Sequence, residues 1–120
     1  MHLIHLNDCA PFYAGDNIWL REILHPDKAN LQLRYSLAHA VVAPGLSSFK
    51  HSLETSEVYY ILQGEGMMHI DDEHEKVKPG DTIYITPKAM QFISNIGNSD
   101  LIFICIVDPA WKVEDEIIHP

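Results

Sequence analysis

PGLSSFKHSLETSEVYYILQG, residues 44–64, is the stretch on which the fold turns. It runs from a Pro44-Gly45 turn through His51 and the polar Glu54-Thr55-Ser56 to Glu57, an apolar segment and Gly64. Alternation along a strand puts Glu57, Tyr59 and Ile61 on one face and Val58, Tyr60 and Leu62 on the other. His51 and Leu53 share a face by the same parity, and the short polar turn brings Glu57 back towards His51. An imidazole and a carboxylate brought together this way suit a first-row divalent metal. Without a metal the same pair makes an acid–base dyad, with Glu57 orienting His51 and Tyr59 within reach as a proton carrier. An ordinary polar contact at the mouth of a barrel is the third reading.

Working outward, strands are expected at Ile18–Leu24, Leu31–Ala43, Glu57–Gln63, Gly66–Asp71, Glu75–Val77, Thr82–Thr86, Gln91–Asn95 and Leu101–Val107. Each ends at a Pro, Gly or Asn turn, and Asp71-Asp72-Glu73 reads as a solvated hairpin turn. Short strands with turns every eight to twelve residues indicate an all-β sandwich or barrel. The tail from Ala110 to Pro120 has room for one helical turn, and Trp111 is placed to plug one end of the barrel. His2, His5, His25, His74 and His119 are expected at the surface, and the methionines in the core.

A chain of 120 residues makes one domain, residues 1–120. A net charge of −9 with only eight scattered Lys and Arg argues against nucleic acid, whose phosphates need clustered cations. No basic-then-apolar leader and no run of membrane-spanning length is present, so a cytoplasmic protein without a membrane partner is expected. Cys9 and Cys105 lack paired spacing and read as reduced thiols, Cys105 as a buried small hydrophobe in LIFICIV.

The segment resembles the first motif of the cupin superfamily: Gly45, His51, Glu57 and Gly64 fall in register, with Leu53 at the second histidine position. PGDTIYITPKAMQFISN, Pro79–Asn95, resembles the second motif, with Gly80 and Asn95 at its ends and Gln91 at the metal-binding histidine. The similarity covers about residues 31–108. It implies a double-stranded β-helix of the jelly-roll type with a short C-terminal tail. The pattern also looks like a group of small single-domain prokaryotic cupins that often carry labels such as mannose-6-phosphate isomerase-like.

Carried over position by position, the family's metal set maps to His51, Leu53, Glu57 and Gln91. That leaves His51, Glu57 and Gln91 as metal ligands for Mn, Fe, Ni or Zn, or no metal at all. His39 could replace the missing ligand, and Leu53, His39 and Tyr84 are expected at the pocket.

The function expected is binding of a small carbohydrate-like or organic molecule at a degenerate metal site, with His51, Glu57 and Tyr59 as candidate catalytic residues. The alternatives are a metal-dependent isomerase or dioxygenase and a metal-free sugar epimerase. The scarcity of arginine, Arg21 and Arg34 alone, counts against sugar phosphates. A homodimer that covers a strand edge is expected.

Overall fold

The computed structural model describes residues 1–13 and 18–120. Eleven strands run β1 Phe12–Tyr13, β2 Ile18–Leu24, β3 Ser36–Val42, β4 His51–Leu53, β5 Ser56–Gln63 and β6 Gly66–Ile70. They continue as β7 Glu73–Val77, β8 Thr82–Ile85, β9 Gln91–Asn95, β10 Leu101–Asp108 and β11 Glu116–Ile118. One sheet has the order β1-β2-β3-β10-β5-β8 and the other β11-β4-β9-β6-β7. Every pairing is antiparallel. The two sheets face each other as the double-stranded β-helix of a jelly roll.

Alternation builds the interior. On β10, Leu101, Phe103, Cys105 and Val107 are buried while Ile106 is exposed. The register sets Ala40, Phe103 and Ile61 in one inward row, and Ala38, Cys105 and Tyr59 in the next. Ser36, Val107 and Glu57 form the row after that. Ile93 and Met68 close the core from the second sheet. Tyr59 stacks on Phe103 with ring centroids 4.5 Å apart.

The motif ends are structural. Gly64 has φ +88°, and a Cβ there would come within 2.7 Å of the Asp100 carbonyl oxygen, so only glycine fits. Buried Asn95 satisfies its whole amide: Nδ2 donates to the carbonyls of Val42 and Ser99, and Oδ1 accepts from Gly97 N.

Several boundaries differ from the sequence reading. The long strand expected over Leu31–Ala43 is confined to Ser36–Val42. The preceding segment leaves the sheet, with Arg34 instead bonding Asp108 at 2.8 Å. Strands β1, β4 and β11 were not expected; each is only two or three residues long and carries almost no periodic signal. The tail holds a 3-10 turn, Val113–Asp115, and then returns as β11 along β4. His25 is buried rather than exposed, at 7%. Its Nδ1 accepts from Asp27 N, so Nε2 carries the hydrogen and donates to the Trp111 carbonyl at 2.8 Å.

Candidate functional site

A cavity of about 380 Å³ opens between the two sheets at one end of the barrel. Strand parity explains its lining. Ile18, Leu20 and Glu22 come from β2, Ser36, Ala38 and Ala40 from β3, and Phe103, Cys105 and Val107 from β10. His51 and Leu53 come from β4, Glu57 and Tyr59 from β5, and Glu116 and Ile118 from β11. Each of these six strands contributes alternate residues, as a two-residue period requires. Phe12, Tyr13, Phe49, Trp111 and Val113 form the mouth and are substantially exposed.

Glu57 is the polar centre of this wall. It is 7% exposed, and its Oε1 accepts from Gln91 Nε2 at 3.0 Å. Burial pushes its carboxyl from the ordinary 4.5 up to about 8, against the pull of the Gln91 hydrogen bond and with some help from the negative charge of Glu116. At neutral pH the carboxyl therefore holds its proton. Gln91 Oε1 is buried without a partner. Reversing the amide would turn that oxygen towards the protonated carboxyl.

His51 is oriented from behind, because its Nδ1 lies 2.8 Å from the Phe49 carbonyl oxygen. A carbonyl can only accept, so Nδ1 carries the hydrogen, and in the neutral ring Nε2 keeps its lone pair. The Cys105 thiol is pushed well up by burial and then by the charge of Glu57, which leaves it un-ionised and unreactive.

The residues singled out from sequence divide into three sets. His51, Leu53, Glu57 and Tyr59 are brought together on the cavity wall. Gln91, only 1% exposed, stands behind Glu57 and does not reach the cavity. His39 and Tyr84 lie outside it, for a reason of parity. His39 alternates with the inward Ala38 and Ala40 and pairs across the sheet with Arg21 and Ile104. Tyr84 sits between the inward Ile83 and Ile85 and is 59% exposed. Burial, followed by the neighbouring Arg21 cation, lowers the pKa of His39.

The sequence reading placed Trp111 at a barrel end but missed Glu22, Glu116 and the mouth aromatics Phe12, Tyr13 and Phe49. The inward parity of Glu22 was available from IWLREIL. The position of Glu116 depends on the unforeseen return of the tail.

A family model for the cupin domain matches residues 38–107, more than half of the chain. The chain is a cupin. An uncharacterized protein of Methanocaldococcus jannaschii is 43% identical over 106 residues, covering 88% of this cupin and 84% of the relative. An oxalate-binding protein of Thermotoga maritima is 35% identical over 88 residues, covering 72% of this chain and 68% of its own. Among solved structures, a predicted oxalate decarboxylase from Thermotoga maritima superposes with a TM-score of 0.80 at 22% identity. That match covers 90% of this chain and 99% of the other, and it shows the shared fold.

The donor set of this cupin does not fit a transition metal. Leu53, 3% exposed, puts a hydrocarbon where the family pattern has a histidine. Gln91, a neutral amide where the family pattern has a histidine, stands behind Glu57 and does not reach the cavity. Among the described residues no three His, Cys, Asp or Glu side chains converge as a metal would require. No helix among them is long and apolar enough to cross a membrane.

Proposed function

We propose that this cupin binds a small organic molecule in the cavity between its sheets and does so without a resident transition metal. The observation that carries this reading is the cavity itself: about 380 Å³, mostly apolar, with one buried carboxyl and one oriented imidazole on its wall. Ligand sites are of this kind, apolar with a few placed polar groups. The likeness to an oxalate-binding protein supports small-molecule binding in general. Oxalate itself suits this cavity poorly, because three carboxyl side chains and no Lys or Arg line it.

The test is a ligand-observed NMR screen of small neutral fragments against the wild type and Ala38→Phe, which projects a ring into the cavity. Hits that vanish in the variant support the reading, and hits that persist unchanged sink it. Metal analysis of untagged protein accompanies the screen. A stoichiometric transition metal that disappears in His51→Ala would overturn the metal-free part.

Proton transfer on the bound molecule is the second reading. It is favoured by Glu57, which holds its proton near neutral pH, sharing a wall with His51, whose Nδ1 is tied to the Phe49 carbonyl. With a hit in hand, solvent deuterium exchange into that molecule, lost in Glu57→Gln while binding persists, is the outcome that supports it.

A further inference from the structure

Aromatic rings and carboxyl groups share this cavity, and among the described residues no Lys or Arg lines it. Phe12, Tyr13, Phe49, Tyr59, Phe103 and Trp111 all contribute to the lining. Six rings from five separate places in the chain line one space of about 380 Å³. Trp111 is fixed on both sides: its backbone N–H donates to Ser36 Oγ at 3.0 Å, and its indole Nε1–H donates to Glu116 Oε2 at 3.4 Å.

Glu22, Glu57 and Glu116 supply the carboxyl groups. Glu22 is held from outside by Lys28, at 3.3 Å, whose own side chain does not line the cavity. The one basic side chain in the lining is His51. An anion entering here would meet Glu116 and Glu22 with no Lys or Arg in the lining to receive it, whereas an ammonium would meet carboxylate oxygens and ring faces.

We propose that the preferred occupant of this cavity is a small organic ammonium: a primary or quaternary amine on a short apolar or aromatic body. This deepens the small-molecule reading above and rests on it. The apolar body lies against Leu53, Ala38 and Phe103 in the interior. The charged head stays near the mouth, where Trp111 and Glu116 sit together and Glu22 faces them from the first sheet. The size of the cavity suits a ligand of fragment size rather than a polymer end.

The experiment compares three ligands of the same shape, 2-phenylethylammonium, 2-phenylethanol and phenylacetate, by titration calorimetry at neutral pH and low salt. The expected result is binding of the ammonium about tenfold or more tighter than the alcohol, with phenylacetate weakest. Glu116→Gln and Glu22→Gln, each able to keep its present hydrogen-bonding shape, should each weaken the ammonium about three- to tenfold and leave the alcohol unchanged.

Equal affinity for the ammonium and the alcohol overturns the charge preference while leaving the pocket reading standing. Tightest binding by phenylacetate overturns it outright. If none of the three binds, the inference falls, and the neutral-fragment hits sensitive to Ala38→Phe decide separately whether the pocket reading falls with it. Circular dichroism of the two Gln variants confirms that any loss of binding is not a loss of fold.

Discussion

The two ends of the barrel interior are built on the same three strands and differ in what those strands carry. At one end Val42, Ile61 and Leu101 are completely buried, and Ile93 and Met68 fill the space between the sheets. At the other end the same strands carry Ser36 and Ala38, Glu57, and Cys105 and Val107 around open space. Strand β3 shows the change most simply, its inward residues shrinking from Val42 through Ala40 and Ala38 to Ser36. Backbone geometry is common to both ends, so side-chain volume alone converts a close-packed core into a cavity. One fold thus separates stability from binding by position along a strand.

Substitutions can break or sharpen this division. Ile61→Ala at the packed end should have the largest effect, a loss of about 3–4 kcal/mol, because the surrounding core can collapse only in part. Thermal unfolding would show a midpoint about 10 °C or more lower, and a shift of only a degree or two would mean that the packed end is not the stabilising one. Gly64→Ala, at the turn that closes the packed end, should cost about 2–3 kcal/mol, since the new methyl meets the Asp100 carbonyl in a left-handed backbone. Urea denaturation measures it directly.

At the open end, Glu57→Gln should stabilise the protein at high pH. The folded Glu57 holds a proton up to about pH 8 and the unfolded one only to about 4.5. The folded state therefore binds more protons across that window, and the contribution of this group is fully present below 4.5 and is lost as pH rises towards 8. The variant keeps the hydrogen bond from Gln91 and has no proton to lose. Its stability should match the wild type near pH 5 and exceed it by about 2 kcal/mol or more above pH 8. Parallel stability curves for the two proteins across this range would contradict the buried, protonated state. Ala38→Phe should have the smallest effect on stability, within about 1 kcal/mol, because the cavity accepts the ring without overpacking. A loss as large as that of Ile61→Ala would show that this end is closed in solution.

Much of this architecture was legible in the chain. The alternation in SEVYYILQ and LIFICIV predicts which residues point inward, and both the burial pattern and the fold follow it. The placement of His51, Leu53 and Glu57 on one wall follows from the same parity and the short turn between them. His39 and Tyr84 show the limit of reading residues by type: parity measured against Ala38, Ala40 and Ile85 excludes both from the cavity, whereas their chemistry alone suggested otherwise. Trp111 was read at one end of the barrel, but Glu116 and Ile118 were out of reach for a different reason. Their places depend on long-range pairing of β11 with β4, which three residues of sequence do not encode locally. The protonated state of Glu57 also required the structure, since it comes from burial and from a carboxylate fifty-nine residues away in the chain, Glu116.

The tail that supplies Trp111, Glu116 and Ile118 is held at its start by His25 and Ser36 against Trp111 and at its end by Ser52 Oγ, 2.9 Å from His119 Nε2, and by the Lys50 carbonyl. Between them it adds one short edge strand and almost nothing to the central core. A side of the binding chamber is therefore built from a segment that the central core does not need. Cleavage near Glu114 would unroof the chamber while the barrel stayed folded, and exchanging these few residues would give the same barrel a different appetite.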